Sequence, residues 1–219
     1  MVELRGQTLA YGPTVVLENV TLAIRPGERV ALLGRSGAGK STLLAAIRDS
    51  AMAAGEDVAL VPQENGLVPQ LSLFHNVHMG RLHRHSAFYN LVTLLRPFRR
   101  DRAEVAALAR ELGLEPLLDR PVERLSGGQR QRTAVARAIH AGGGFLLADE
   151  PVSALDEMQA PEVLRALLSR FPTSVISLHD IGLALAHCTR LVGLKDRRII
   201  FDLRTGEQNA SDIDRLYAA

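Results

Sequence analysis

The sequence predicts an α/β fold: apolar strands alternating with helices, a small antiparallel β part near the start, and a helical stretch in the middle. Three observations carry this. Residues 30–33 form a continuous apolar run that stops at a glycine-rich turn and leads into residues 40–51, which are rich in Ala and Leu. Residues 145–148 repeat the buried-strand pattern and 174–177 form a further strand, each followed by helical periodicity. From about residue 71 to residue 140 the periodicity is helical, with no β-branched run.

Taken in order, short β-like runs at 2–4, 8–11, 20–24 and 29–33 are separated by turn residues such as Gly12-Pro13 and Pro26-Gly27, and read as a small antiparallel sheet. The helix at 40–51 is followed by a strand at 57–62 that ends at Gln63, then an irregular stretch with Gly66 and Pro69. Residues 103–112 and 130–139 are the clearest helices of the middle region. Beyond the strand at 145–148 come a helix at 157–169, the strand at 174–177, a helix at 181–187, a hairpin of 191–194 with 198–201, and a terminal helix at 211–217 capped by Ser211. The expected division is one domain, 1–219, whose catalytic core with its antiparallel β part comprises 1–70 and 141–219, with a helical subdomain at 71–140.

Composition narrows the function classes. With 47% hydrophobic and 23% charged residues the chain is globular rather than disordered or fibrous, and no apolar run is long enough to span a membrane. The first residues lack the build of a secretory signal, and the single cysteine, Cys188, fits a reducing compartment, so a cytoplasmic protein is expected. A net charge of +2 gives no ground for a nucleic-acid partner.

The chemistry starts at Gly34-Arg35-Ser36-Gly37-Ala38-Gly39-Lys40-Ser41-Thr42, which matches GxxxxGK[ST] between a buried strand and a helix, where that motif works. Glycines let the backbone wrap phosphate oxygens, the first helix amides point at the anion, Lys40 places a charge on the outer phosphates, and Ser41 offers an oxygen to magnesium. A nucleoside triphosphate with magnesium is the implied ligand, and the fold is a P-loop NTPase. The apolar run 145–148 ends in Asp149 and Glu150. Asp149 suits a magnesium shell and Glu150 suits polarisation of an attacking water; such a pair taken alone is more often a solvated loop or a helix cap, and the phosphate loop reverses that preference. His179 follows the strand at 174–177, within reach of a terminal phosphate or simply a turn histidine. Leu125-Ser126-Gly127-Gly128-Gln129 reads as a helix start whose glycine amides can approach a phosphate.

Together these residues resemble an ATP-binding cassette (ABC) ATPase. The phosphate loop, Gln63, Leu125 to Gln129, Asp149-Glu150, Ser153-Ala154-Leu155-Asp156 and His179 occur in that family's order over nearly the whole chain. The resemblance implies a RecA-like core, a small antiparallel β subdomain and an α-helical subdomain carrying the signature pentapeptide. It implies ATP and Mg2+ as ligands, with Ser41, Gln63 and Asp149 at the metal and Tyr11 stacked on adenine. Two copies are expected to pair head to tail, Ser126, Gly127, Gly128 and Gln129 of one closing on ATP held by Lys40 of the other, with Asp156 touching the opposite copy. Glu150 is then the catalytic carboxylate, His179 the phosphate sensor, and Gln63 the link to a membrane permease.

A finer resemblance, to ATPase subunits of phosphonate and phosphite importers, rests on Asn76 to Leu82, on the arginine-rich stretch running to Arg102, on Leu146 to Ala154, and on Gly193 to Asp196 with Ile199 to Asp202. It implies a homodimer at the cytoplasmic face of the inner membrane, served indirectly by a solute-binding protein. An ABC-type subunit of a soluble complex, such as a carbon-phosphorus lyase scaffold, shares every nucleotide motif and stands as the alternative. The chain departs from the family in a shortened segment before Gln63, in Asp180 after His179, and in the run Gly142-Gly143-Gly144, read as flexible. Arg81, Arg84, Arg96, Arg99, Arg100 and Arg102 face lipid headgroups, an acidic permease loop or solvent. His75, His78, His83 and His85 have no carboxylate or cysteine between them, and composition alone gives little support to a metal site.

Overall fold

The computed structural model describes residues 1–208 and 210–217. The chain divides into two compact units, one of Met1–Leu60, Gly143–Ser153 and the described residues from Phe171 onward, the other of Val61–Gly142 and Ala154–Arg170.

The first unit holds two sheets. Strands β1 (Val2–Tyr11) and β2 (Thr14–Ile24) form an antiparallel pair. The runs at 2–4 and 8–11 are one strand, joined through an irregularity at Gly6, whose amide donates to the Thr21 hydroxyl. The second sheet has six strands in the order β4-β5-β6-β3-β7-β8. These are β3 (Arg29–Leu33), β4 (Val58–Val61), β5 (Phe145–Asp149), β6 (Thr173–Ser177), β7 (Arg190–Lys195) and β8 (Arg198–Arg204). Residues 29–33 therefore leave the antiparallel sheet to which the sequence pattern assigned them. Val30 to Leu33 are fully buried on both faces, the condition of a central parallel strand, and β3 pairs in parallel with β6 and β7.

Helix α1 (Lys40–Ala53) contributes Leu43, Leu44, Ile47 and Ala51 to a core completed by Leu4, Leu17, Val20 and Leu22 of the small sheet and by Leu32, Leu147, Val175 and Val192 of the large one.

The second unit is helical. It contains α2 (Leu73–His78), α3 (Ala87–Leu95), α4 (Arg99–Glu111), α5 (Gly127–Ala141) and α6 (Gln159–Arg170). Fully buried Leu73 and Phe74 anchor α2, and Asn76 ties the preceding loop by bonding Val68, Leu71 and Ser72. Compared with the sequence division, this unit begins at Val61 and takes in α6, because α6 packs on α5.

Helices α7 (Ile181–His187) and α8 (Ala210–Tyr217) complete the first unit. Ser211 lies inside α8, and the position before Ala210 lies outside the described residues, so Ser211 is not the cap expected from sequence. The glycine run is structured rather than loose: Gly142 ends α5 at φ +70°, and Gly143 at φ +116° lies so close to Asp57 that a Cβ would stand 2.6 Å from its carbonyl oxygen.

Candidate nucleotide-binding site

In the first unit the phosphate loop runs from the end of β3 to the start of α1. Gly39, in the left-handed region, is the N-cap of α1, and no side chain caps the helix. The amides of the first turn therefore have no intrahelical acceptor and no side-chain acceptor, which is a donor set suited to an anion. Gly34 is required by close approach, since a Cβ there would stand 2.6 Å from the Leu194 carbonyl oxygen. Lys40 is buried, and its Nζ donates to the carbonyls of Gly34 at 2.8 Å and Arg35 at 3.2 Å. Burial pushes its pKa down, while the carboxylates of Glu150 and Asp149 oppose that shift. Arg35, Ser36 and Gly37 are exposed and Ala38 is half-buried in the loop; Ser41 and Thr42 continue into α1.

Asp149 closes β5, and the parallel register places it opposite Ser177 at the end of β6. The Ser177 hydroxyl donates to Asp149 Oδ1 at 2.5 Å and accepts from the Glu150 amide at 2.9 Å. Glu150 has φ +51°, an uncommon conformation for a residue with a side chain, and its Oε1 lies 2.5 Å from His179 Nε2. Against an ionised carboxylate that ring nitrogen carries the proton and donates it. Asp180, the departure seen in sequence, accepts from the Leu183 amide and caps α7. The unit thus brings Lys40, Asp149, Glu150 and His179 into one region at the carboxyl ends of parallel strands, the usual ligand position in open α/β sheets. Sequence reading did not single out Ser177 as part of the site. Its only signal is the β5–β6 register, which is not visible before the strands are paired.

Tyr11, at the end of β1, is 80% exposed, so its ring has no packing role within the fold. The other site residues belong to the second unit. Gln63 is exposed in the turn after β4. Ser126 caps α5, its hydroxyl accepting from the Gln129 amide while Gln129 Oε1 accepts from the Ser126 amide, so Gln129 is held in a capping box. Gly127 and Gly128 open the helix. Asp156 Oδ1 accepts from the amides of Met158 and Gln159 at the start of α6, and the Ala154 amide donates to Gln131 on α5. Among the described residues no group of three His, Cys, Asp or Glu could hold a metal ion, and His75, His78 and His85 have neighbouring rings as partners. No helix among the described residues is long and apolar enough to cross a membrane.

A glycine loop on an uncapped helix, a buried lysine and two carboxylates at the ends of parallel strands define a nucleotide-binding site of the P-loop class. Residues 17–153 match the family described as ABC transporter, and the chain belongs to that family.

Phosphonates import ATP-binding protein PhnC of Anaeromyxobacter dehalogenans is 38% identical over 99% of this chain and 48% of its own length. The protein of the same name from Rhizobium johnstonii is 34% identical over 99% of this chain and 86% of its own. The chain therefore spans about half the length of the first relative. Among solved structures, the dimeric bacterial ABC transporter cassette MJ0796 superposes with a TM-score of 0.79 at 25% identity, covering 95% of this chain and 100% of that one. The same cassette in a dimeric post-hydrolysis state bound to ADP and Pi gives 0.75 at 26% identity, with the same coverage.

Proposed function

We propose that this chain is the ATP-hydrolysing subunit of an ABC importer for phosphonate or a related oxyanion. The observation that carries the catalytic part is the cluster of Asp149, Ser177, Glu150 and His179 in the unit that also holds Lys40 and the phosphate loop. The amides at the start of α1 and Lys40 bind the phosphates of ATP. Ser41 and Asp149 are the oxygen donors fitted to Mg2+, which neutralises phosphate charge when bound. Glu150, fixed at its backbone by Ser177 and at its carboxylate by His179, orients and deprotonates the attacking water. His179 holds that carboxylate through its Nε2–H and serves as the phosphate sensor that the family resemblance implies.

The names of the relatives support the importer and its cargo, and the dimeric cassette supports pairing of two copies. In such a dimer Ser126, Gly127 and Gly128 of one copy face the ATP of the other, with Asp156 at the contact. Tyr11 supplies a flat ring for adenine, and Gln63 senses the nucleotide state and couples it to a permease. A homodimer with a membrane permease, supplied by a solute-binding protein and peripheral to the cytoplasmic face of the inner membrane, completes the reading.

Glu150→Gln tests it. ATP turnover falls by about a thousandfold while ATP binding and ATP-dependent dimers persist; turnover near the unaltered rate would overturn the assignment of the base. Purification from native cells in mild detergent, with mass spectrometry, yields a multi-spanning membrane protein and a solute-binding protein. Recovery of soluble enzymes alone would overturn the transport part.

A further inference from the structure

Helix α3 is inverted relative to the ordinary pattern of a surface helix. Its polar side chains point inward: Tyr89 donates to Asp101 at 2.7 Å, Asn90 Nδ2 donates to the Leu82 carbonyl at 3.0 Å, and buried Thr93 donates to the Tyr89 carbonyl at 2.9 Å. Its apolar side chains point outward. Phe88 is 77% exposed and Leu95 81%, with Leu91 and Leu94 also exposed between them and Phe98 just beyond. At a helical repeat, residues 88, 91 and 95 lie on one line, so these side chains form a continuous ridge rather than scattered exposures.

The unpaired charge beside the ridge is positive, and its acidic neighbours are taken up, Asp101 by Tyr89 and Glu104 by Arg81 and Arg100. Between Glu64 and Asp101 the sequence contains no acidic residue, and the ridge is flanked by Arg84 on one side and Arg96, Arg99 and Arg100 on the other. Arg100 pairs with Glu104, whereas Arg96 and Arg99 are exposed and form no ion pair with any described residue. A convex apolar ridge with cations at both ends fits a soft apolar phase with a negative rim. Those are the features of an interfacial helix on anionic lipid.

We propose that the outward face of α3 seats in the headgroup boundary of an anionic bilayer, Phe88, Leu91 and Leu95 entering the acyl edge and Arg96 and Arg99 meeting lipid phosphates. The contact is weak and reversible, since one short helix buries little area, and it needs no nucleotide.

The test sediments the full chain, without nucleotide, with vesicles of pure phosphatidylcholine or of equal parts phosphatidylcholine and phosphatidylglycerol. Partition to the anionic vesicles exceeds that to the neutral ones by at least about tenfold and falls with added salt. Phe88→Ser and Leu95→Ser each lower it by about tenfold, and Arg96→Gln and Arg99→Gln each by about fivefold. These side chains are exposed, so all four variants keep the melting temperature and basal ATP turnover of the parent. The proposal is overturned if the chain stays in the supernatant with both vesicles or if the variants sediment as the parent does. It is also overturned if the variants lose self-association or co-purification with a membrane protein in detergent while still sedimenting, which would assign the ridge to a protein partner. None of these arms reads ATP hydrolysis, so failure here leaves the nucleotide site as described.

Discussion

His140 makes the second unit sensitive to acid, and the size of the effect follows from its surroundings. It lies in the last turn of α5, 5% exposed, with Nε2 buried and without a hydrogen-bond partner. Burial, then the Arg81 guanidinium and the His78 ring 6.0 Å away, push its pKa down from 6.5 to about 4; Glu104 and Asp101 oppose this without offsetting it. The native state therefore holds the ring neutral while the unfolded chain takes up a proton near pH 6.5. A pKa lowered on folding leaves stability intact above 6.5 and drains it as pH falls toward 4. From the two pKa values the loss is about 2 kcal/mol at pH 5 and about 3 kcal/mol at pH 4. His78, also buried and shifted down by burial, adds a loss of the same sign. The assay is urea unfolding of the full chain followed by circular dichroism near pH 7.5 and pH 5, on the parent and on His140→Leu. Part of the parent's loss comes from other groups, so the diagnostic quantity is the difference between the two proteins. The variant escapes about 2 kcal/mol of the acid loss at pH 5. Equal pH dependence in both would refute the argument that the buried ring resists protonation.

Replacing Lys40 with Met removes the buried ammonium, and ATP affinity, read by a fluorescent nucleotide, drops by about a hundredfold while the fold persists. Ser177→Ala leaves the Glu150 amide and Asp149 without their shared partner; stability falls by about 2 kcal/mol in chemical denaturation and turnover drops, whereas a variant as stable and active as the parent would remove Ser177 from the site. Gly143→Ala forces a Cβ against the Asp57 carbonyl in the left-handed region, and the melting temperature falls by an amount corresponding to about 3 kcal/mol.

The sequence made legible what is local in the chain. The phosphate loop was readable because its whole mechanism lies in one strand, one turn and one helix start. The helix start at Ser126 lies within one turn, and the strand at 145–148 announced itself by an unbroken apolar run. The hairpin of 191–194 with 198–201 was legible and forms as β7 and β8, but pairing between strands distant in the chain was not. Residues 30–33 carry the continuous apolar run of a buried strand, yet their place after three short β runs assigns them to the antiparallel sheet, and nothing in the sequence says their neighbours are β6 and β7. Ser177 escaped for the same reason. The inverted polarity of α3 was also hidden, because its apolar residues carry a helical period whichever side faces out. Only the hydrogen bonds of Tyr89, Asn90 and Thr93 fix that choice.

Under the proposed roles, Ser177 also lets two neighbouring carboxylates take different tasks. A left-handed conformation at Glu150 costs on the order of 1 kcal/mol relative to the common regions, and a single hydrogen bond to its amide is worth about as much. The hydroxyl that accepts from that amide donates its one proton to Asp149, so the same atom fixes the backbone turn and the acceptor beside it. The turn carries the Glu150 side chain off the line of β5 to His179, while Asp149 stays at the strand end with only part of its oxygen capacity used by Ser177. One carboxylate is thereby aimed by an imidazole and the other keeps lone pairs available to a cation, although both sit at neighbouring positions in the chain. A threonine at 177 retains the donor and acceptor but adds a methyl group where the serine is fully buried, and alanine removes both bonds together. The division of labour proposed for Asp149 and Glu150 therefore rests on a residue 28 positions from Asp149 in the chain, at the end of β6, which the sheet register sets opposite it.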